Sequence, residues 1–379
     1  MRICSILTTL TSGGAEMLVT NLSACFAASG NESAVLTLSD AVQVGNSAEM
    51  EAAMADRIRF ASGSVHSLSL RNRRNIFAGA LAMRRTLAKL KPDIVHAHTA
   101  RALPMLALAG VRTPIVLTHH NSKLSFPPKM FLLFDRIASA YIAISSECVD
   151  LCRQYGNRPV VHIPNAASPE FAATSPRNGI HHPPQILSVG AISDQKNYSA
   201  LIAAADELKR KWPYADADRP RFRIAGNGPE IGNLRARVDQ LGLADMVSFL
   251  GERSDIGALM GQTDIYLNCS KYEGMPVALI EAMAMALPII ATDVSGNREL
   301  VQNDINGKLV PLGETEAMAD AIISLLGNPS GYAKMSAGAI ESSSRFSIGH
   351  TADLHLALYR QLLTDTELTK GRRTKIARA

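Results

Sequence analysis

Short apolar runs alternate along the chain with longer stretches that suit helices. In the first half the runs fall at residues 3–7, 34–38, 93–96, 114–117 and 140–144. In the second half the same pattern restarts at residues 186–189, 221–224, 246–249, 264–270 and 288–292. Buried strands that alternate with helices are typical of parallel sheets covered on both faces. The pattern therefore predicts an α/β protein with two Rossmann-like, doubly wound parallel-sheet domains.

The two halves are separated by residues 162–185, a stretch rich in proline, asparagine, serine and histidine that is typical of a linker. We therefore place an N-terminal domain at residues 1–165 and a C-terminal domain at residues 183–345. The basic end, residues 370–375, is predicted to be a frayed tail.

Composition narrows the class of protein. The chain has 379 residues, 47% hydrophobic and 19% charged, which suits two globular domains. Its net charge of +5 favours an anionic partner, such as nucleic acid, a membrane surface or a nucleotide. Aromatic residues make up only 5% and no zinc-finger spacing is present, so we expect no nucleic-acid partner. Five cysteines without metal-site spacing, and no apparent signal peptide or membrane span, favour a cytoplasmic protein.

The positive charge is concentrated between Arg57 and Lys91, where nine basic residues occur without a single acid. Within this stretch, apolar residues from Ile76 to Leu90 recur at helical spacing beside Arg84 and Arg85. Two interpretations stay open. The helix contacts an anionic membrane surface peripherally, at the inner face of the cytoplasmic membrane, or it is an ordinary surface helix packed on a sheet.

The most informative motif lies between two predicted strands of the second half. Glu273 and Gly274 stand in the loop, Pro276 is placed at the first turn of a helix, and Glu281 lies further into that helix. Backbone N–H groups of Gly274 and Met275 at a helix start form an anion site. Glu281 lies on an otherwise apolar helix, where a buried carboxylate needs a partner, and a ligand hydroxyl is a natural one.

This arrangement, E-G-x-P-x-x-x-x-E, resembles the paired-glutamate motif of family 4 retaining glycosyltransferases. The resemblance extends over nearly the whole chain and implies the GT-B fold, with two Rossmann-like domains facing a cleft. It also implies that C-terminal helices, about residues 350–379, return to complete the first, acceptor-side domain. The second domain would then bind a nucleotide sugar, with Glu273 on the sugar and Glu281 on the ribose.

Further loops of the second domain match the family in part. Lys196 matches the lysine of a G-R-x-x-x-x-K loop that begins at Gly190, and would grip the donor diphosphate and act in catalysis. Ala191 stands where the family has an arginine, and Arg298 or Arg253 are candidates to replace that charge. Gly226 and Gly228 resemble the family's G-x-G turn at the donor.

The first domain carries its candidates after predicted strands. Gly13, Gly14 and Glu16 resemble the family's G-G-x-E loop, beside the donor phosphate and the acceptor; an ordinary tight turn is the alternative. His120 matches a T-x-H histidine that contacts the donor sugar, and His98 is a candidate for the acceptor. Histidines at strand ends are also often structural.

The resemblance implies transfer of a hexose or N-acetylhexosamine from a nucleotide-diphosphate sugar to a hydroxyl acceptor, with retention and without a cofactor or required metal. The expected acceptor is a bacterial surface glycan on a polyprenyl carrier, such as O-antigen, capsule or exopolysaccharide. The missing arginine at Ala191 keeps a non-catalytic nucleotide-sugar-binding protein open, and a sugar-nucleotide epimerase shares the fold. The sugar, the base and the acceptor are not readable from the residues.

Overall fold

The computed structural model describes residues 1–11, 13–44, 47–71 and 75–376. The chain divides into two compact units. The first contains Met1–Asn165 and Ile348–Ala379, and the second contains Ala166–Ser347. Arg73 and Arg74 of the basic stretch lie outside the described residues.

The first unit is built on a single sheet. Its strands are β1 (Arg2–Leu7), β2 (Glu32–Thr37), β3 (Ser64–Ser67), β4 (Ile94–Ala97), β5 (Ile115–His119), β6 (Ala140–Ala143) and β7 (Val160–His162). Neighbouring strands run parallel in the order β3-β2-β1-β4-β5-β6-β7. The connecting helices are α1 (Gly14–Ala28), α2 (Ala48–Phe60), α3 (Ile76–Leu90), α4 (Ala102–Leu108), α5 (Phe131–Ile137) and α6 (Ser146–Tyr155).

Helices cover both faces of this sheet. Successive residues of a strand point to opposite faces, and successive residues here join different clusters. Ile6 and Leu36 pack with apolar residues of α3 to α6, whereas Leu7 and Val35 pack with α1 and α2. The result is a doubly wound sheet, as the alternation of elements predicts.

The second unit repeats this architecture. Its strands are β8 (Gln185–Val189), β9 (Arg221–Ala225), β10 (Val247–Gly251), β11 (Ile265–Asn268), β12 (Ile289–Thr292) and β13 (Gly307–Val310). They run parallel in the order β10-β9-β8-β11-β12-β13. The helices are α7 (Tyr198–Lys211), α8 (Ile231–Gln240), α9 (Ile256–Gly261), α10 (Val277–Ala284), α11 (Ser295–Arg298), α12 (Thr315–Leu326) and α13 (Pro329–Ser343).

The last helix, α14 (Ile348–Ile376), belongs to the first unit. Its buried His355 and Tyr359 pack their rings against Phe26 of α1 and His96 of β4. The helix continues through residues 370–375, where the composition predicts a frayed tail.

Residues 166–182, interpreted from composition as part of a linker, are bonded along the second unit. The Arg177 guanidinium donates to the carbonyls of Met260 (2.8 Å), Thr263 (2.7 Å) and Met285 (3.2 Å). Two of these carbonyls, those of Met260 and Met285, lie at the C-terminal ends of α9 and α10, where a cation is favourable. The segment is therefore a strap on the second unit and not a free connection.

Three strands are absent from the sequence-based prediction, namely β3, β7 and β13. They have only three or four residues and lie at the edges of the sheets. Edge strands bury less of their surface, so β3 (Ser64–Ser67) and β7 (Val160–His162) contain no fully buried residue. Such segments lack the continuous apolar run that marks a central strand.

Candidate functional site

The predicted residues of the second unit collect at the carboxyl ends of its four central strands. Loops leave β8 at Gly190, β9 at Gly226, β11 at Cys269 and β12 at Asp293. Because these strands are neighbours in one parallel sheet, their loops meet at the same edge. Lys196, Glu273 and the start of α10 are brought together there.

Glu273 is the centre of this arrangement. Its Oε1 accepts hydrogen bonds from Lys196 Nζ (2.5 Å) and from Ser270 Oγ (2.6 Å). The Glu273 side chain is 6% exposed and that of Lys196 is 21% exposed. Burial of an ion pair is costly unless hydrogen bonds compensate for the lost water. The second bond, from Ser270, supplies such compensation and fixes the carboxylate.

Ser270 is itself held by a polar network that sequence reasoning missed. Its backbone N–H donates to Asn268 Oδ1 (3.1 Å), and its carbonyl accepts from Thr292 Oγ1 (2.6 Å). Asn297 Nδ2 donates to the carbonyl of Thr292 (2.9 Å) and to Asn268 Oδ1 (3.3 Å). All four residues are buried. Polar residues at the ends of otherwise apolar strands were the available signal.

Glu281 is buried on α10, as predicted, with 7% of its surface exposed. Its expected partner is a ligand hydroxyl. In the structure a protein hydroxyl is a hydrogen-bond partner of this carboxylate, because Ser168 Oγ lies 3.4 Å from Glu281 Oε1. Ser168 belongs to the strap, a segment that the sequence interpretation leaves out of the site. The contact of Glu281 with ribose remains a prediction.

The predicted donor glycines have a packing role in this structure. Gly190 and Gly226 have φ of 152° and 151°, a backbone conformation that favours glycine. A Cβ on Gly226 would lie 2.0 Å from the Gly190 carbonyl oxygen, and one on Gly228 would lie 2.2 Å from that of Ile192. These glycines allow the loops after β8 and β9 to touch.

The start of α10 differs slightly from the prediction. Pro276 is the N-cap and not the first helical residue, and its carbonyl accepts from the N–H groups of Leu279 (3.2 Å) and Ile280 (3.3 Å). A Cβ on Gly296 of α11 would lie 2.6 Å from the Gly274 carbonyl oxygen. Gly274, beside the buried Met275, is therefore held against α11.

The two arginines considered as substitutes for the charge missing at Ala191 are both paired with acids. Arg253 donates to Asp255 (2.6 and 2.8 Å), and Arg298 donates to Asp293. Lys271, in the same loop as Glu273, pairs with Asp194. Ala191 itself is exposed. Lys196 is the basic residue that forms the ion pair with Glu273.

In the first unit, the candidates also follow neighbouring strands. Gly13 caps α1 after β1, and a Cβ on Gly13 would lie 2.3 Å from Glu16 Oε2, so the carboxylate folds back over the helix start. Burial raises the pKa of Glu16 to about 7. Gly14 is the first residue of the helix. The carboxylate at this position suits the positive end of α1.

His98 follows β4 and His120 follows β5, and the structure brings these two rings together. His98 Nδ1 lies 3.0 Å from His120 Nε2. Burial lowers the pKa of His98 well below its ordinary value and that of His120 to about 3. Both rings are therefore neutral at neutral pH.

Beneath the pair lies His96, which sequence reasoning did not select. Its Nδ1 is 2.6 Å from Tyr359 Oη of α14, and its Nε2 is 2.7 Å from Thr118 Oγ1. Both nitrogens of His96 therefore have hydrogen-bond partners inside the core.

Within the described residues, no group of three histidine, cysteine or acidic side chains is placed to hold a metal ion. No helix in the described ranges is long and apolar enough to cross a membrane.

Comparison with known proteins assigns the class. The model of the group 1 glycosyl transferases matches residues 171–342, and that of Glycosyltransferase Family 4 matches residues 12–171. The chain therefore belongs to the family 4, group 1 glycosyltransferases and is a glycosyltransferase. Its two parallel-sheet units are those of the GT-B fold.

Individual relatives agree with this assignment. EpsD of Bacillus subtilis, named as a glycosyltransferase, is 30% identical over 310 residues, which cover 74% of this chain and 80% of EpsD. An N-acetyl-D-galactosaminyltransferase of Campylobacter jejuni, whose name includes a PP-undecaprenol-linked glycan, is 23% identical over 94% of this chain and 98% of its own. The crystal structure of HepE from Anabaena with UDP and glucose has a TM-score of 0.78 and 21% identity, covering 95% of this chain and 100% of HepE.

Proposed function

We propose that this glycosyltransferase moves a hexose or N-acetylhexosamine from a nucleotide-diphosphate sugar to a hydroxyl acceptor with retention of the anomeric configuration. The observation that carries the proposal is the partly buried Lys196–Glu273 pair beside the N-terminus of α10. A cation and a helix N-terminus attract a diphosphate, and a fixed carboxylate accepts hydrogen bonds from sugar hydroxyls. HepE, a structural neighbour, was crystallised with UDP and glucose.

We assign the stabilisation of the negative charge that develops on the departing diphosphate to Lys196 and to the backbone N–H groups of Gly274 and Met275. In many enzymes, fixed donors that stabilise developing negative charge supply most of the rate enhancement. This assignment includes no divalent metal and no cofactor. EDTA is therefore expected to leave the rate of transfer unchanged, whereas loss of activity that Mg²⁺ or Mn²⁺ restores would contradict it.

Retention is proposed to proceed without a covalent sugar–enzyme intermediate. Both carboxylates of the motif have partners, Glu273 with Lys196 and Ser270, and Glu281 with Ser168. In the proposed step, the bond between the anomeric carbon and the phosphate oxygen breaks. The acceptor oxygen bonds to the same face of the sugar, and its proton passes to the departing diphosphate.

The acceptor is proposed to be a bacterial surface glycan on a polyprenyl diphosphate carrier. The name of the Campylobacter relative, with its PP-undecaprenol-linked glycan, supports this class.

The outer surface of α3 also supports a lipid-linked acceptor. Its inner residues Ala80, Met83 and Leu87 are buried, but Phe77 is 78% exposed and Leu81 52% exposed.

These exposed apolar residues lie one and two helical turns before the exposed Arg84 and Arg85. A helix face with apolar and basic side chains suits the interface of an anionic bilayer. α3 thus packs one face on its sheet and leaves another that a membrane surface could cover. This protein would then meet its lipid-linked acceptor as a peripheral membrane enzyme.

A turnover assay tests the enzyme proposal. Purified protein is incubated with UDP-, GDP- and dTDP-sugars and with polyprenyl-diphosphate-linked or free glycans, and released nucleotide and product are measured. We expect one donor class to be consumed only with an acceptor, and the product to keep the donor's anomeric configuration by NMR. Inversion would refute retention. Donor consumption without an acceptor would favour an epimerase, and no consumption would favour a binding protein.

Vesicle sedimentation tests the membrane contact. We expect binding to vesicles that contain phosphatidylglycerol, and loss of binding for Phe77→Ser/Arg84→Glu/Arg85→Glu. The matched control replaces exposed residues of the second unit, Tyr214→Ser and Leu312→Ser. Equal binding of the α3 variant and the unmodified protein would overturn the contact.

A further inference from the structure

The end of β8 is held by hydrogen bonds on both sides of Gly190. Its backbone N–H donates to the carbonyl of Ala225 (3.0 Å), and its carbonyl accepts from the hydroxyl of Tyr198 (3.1 Å). Tyr198 is the first residue of α7 and is 2% exposed. One residue earlier, the carbonyl of Val189 accepts from the hydroxyl of Tyr266 (3.4 Å). Two buried tyrosines, one from a helix and one from a neighbouring strand, therefore fix the start of the loop after β8.

Gly190 by itself would leave the orientation of this loop open. Its φ of 152° lies in a region that favours glycine, and glycine has more conformational freedom than other residues. The peptide group that joins Gly190 to Ala191 could therefore turn to several orientations at little cost. The hydrogen bond from Tyr198 to the carbonyl of this peptide selects one of them.

That orientation decides where the N–H of Ala191 points. The Gly190–Ala191 peptide is trans, and in a trans peptide the C=O and the N–H point in opposite directions. Because the carbonyl points to the buried hydroxyl of Tyr198, the N–H points away from it, and Ala191 is exposed. This N–H has no hydrogen-bond partner among the described residues. A free donor is thus presented at the carboxyl edge of the sheet.

Lys196 lies beside the same peptide. A Cβ built on Gly190 would be 3.0 Å from Lys196 Cε and 3.4 Å from Tyr198 Oη. The amine of this lysine pairs with Glu273. Backbone N–H groups in loops and at helix starts form sites for phosphate oxygens. The Ala191 N–H is one residue away from the contact with Lys196, at the position where the family has an arginine.

We propose that Tyr198 is a positioning residue of the donor site, whose hydroxyl turns the Ala191 N–H towards the donor diphosphate. This inference rests on the proposed function, because it adds a contact to the same donor site. The main-chain N–H of Ala191 supplies a hydrogen bond, although not the charge, of the arginine that the family has at this position.

NMR of the ¹⁵N-labelled full chain tests this contact directly. UDP, GDP and dTDP are titrated in turn, beside uridine, guanosine and thymidine, which lack phosphate. We expect the Ala191 amide proton to shift downfield with one of the diphosphates and to stay unchanged with the matching nucleoside. An equal shift with the nucleoside would place the contact on the nucleoside and overturn the assignment.

The outcomes distinguish this inference from the proposed function. If the amides of Gly274 and Met275 shift with a diphosphate while that of Ala191 stays unchanged, the contact is wrong and the proposed donor site stands. If none of these amides shifts with any diphosphate, both proposals fail. The titration uses the unmodified chain, so it does not depend on a variant that folds.

A matched pair of variants tests the role of the hydroxyl. Tyr198→Phe removes only the oxygen that fixes the peptide. Tyr332→Phe is the control, because Tyr332 is 1% exposed and its hydroxyl also donates to a main-chain carbonyl at 3.1 Å. That carbonyl belongs to Asp264, which precedes β11 at the opposite edge of the sheet. Each variant loses one buried hydrogen bond, so we expect similar midpoints in urea.

Only Tyr198→Phe should weaken the binding of the donor. We expect its KM for the nucleotide sugar and its Kd for the diphosphate to rise about tenfold, because hydrogen bonds to charged groups are among the stronger ones. A contact made equally in the bound donor and in the transition state changes KM, so kcat should stay within about twofold. Equal KM values for Tyr198→Phe and Tyr332→Phe would show that the hydroxyl only stabilises the fold, and would overturn the proposal.

Discussion

The two units share an architecture but differ in how they treat their polar residues. In the second, Lys196 and Glu273 form a partly buried ion pair supported by Ser270, in a site whose loops pack together through glycines. In the first, four neighbouring histidines are kept neutral by burial, and two of their nitrogens have no partner among the described residues.

The surfaces differ in the same direction. Among the described residues, nine large apolar side chains are exposed in the first unit and three in the second. Exposed apolar groups in contiguous patches mark interaction surfaces. The candidate site of the second unit is therefore built on an ion pair, whereas that of the first unit is built on neutral rings, in a unit that exposes more large apolar side chains.

The broadest test of this contrast is the pH dependence of stability. His96, His98, His120 and His355 have lowered pKa values in the folded first unit, about 3 for His120 and about 4 for His355. Below pH 6.5 the histidines of the unfolded chain bind protons that these buried rings do not bind. The folded state therefore loses stability as the pH falls. His120 and His355 each cost about 2 kcal/mol between pH 7 and pH 5, and the lowered pKa values of His96 and His98 act in the same direction.

Glu16 acts in the opposite direction, because its pKa is raised to about 7 and the folded state takes up its proton first. That gain, about 2 kcal/mol between pH 7 and pH 5, is smaller than the combined loss from the histidines, so the first unit loses stability on acidification. The single tryptophan, Trp212, lies in the second unit and reports on it alone. In urea titrations at pH 7 and 5, far-UV circular dichroism should show a larger loss than Trp212 fluorescence. An equal loss of stability by both probes would contradict this difference between the two units.

The charged pair of the second unit is expected to give the largest effect on catalysis. Lys196→Ala removes the cation assigned to the departing diphosphate and should lower kcat by about 10²- to 10³-fold. Lys271→Ala is the matched control, because Lys271 lies in the loop of Glu273 but pairs with the exposed Asp194. Nucleotide release measures both. Similar losses for the two variants would indicate a general charge effect.

The glycine packing of the second unit can be broken at one position. Gly226→Ala would place a Cβ 2.0 Å from the carbonyl oxygen of Gly190, a backbone atom that cannot rotate away. We expect a loss of about 3 kcal/mol in the free energy of unfolding. Gly232→Ala in α8, where the Cβ meets nothing within 4 Å, is the control and should be neutral or stabilising. Trp212 fluorescence in urea measures both, and unchanged stability of Gly226→Ala would contradict the packing.

Ser270 gives the smallest expected effect. Ser270→Ala removes one of two hydrogen bonds to Glu273 and should lower kcat about tenfold without changing stability by more than about 1 kcal/mol. Ser270→Thr keeps a hydroxyl and should restore most of the rate. Ser188→Ala is the control, since that buried hydroxyl donates only to the carbonyl of Leu267. A tenfold loss in the control as well would assign the effect to packing.

Much of the fold was predictable, because the central strands are continuous apolar runs. The shortest edge strands were not, because they bury too little surface to show a pattern. In the site, the predicted Lys196 and Glu273 do meet, although 77 residues separate them in the chain. Ser270, Thr292, Asn297 and Ser168 escaped prediction because their hydrogen-bond partners are distant in the chain, and a polar residue at a strand end or in a loop does not show which partner it meets.

By itself, the sequence determined the two parallel-sheet units, the family and the chemical types at the strand ends, since periodicity and local motifs are written in neighbouring residues. Only the tertiary structure decided that Ser270 fixes Glu273, that the strap carrying Ser168 reaches Glu281, and that the rings of His98 and His120 lie within hydrogen-bond distance. Those contacts join distant segments, and their geometry follows from how sheets bring separate loops to one edge.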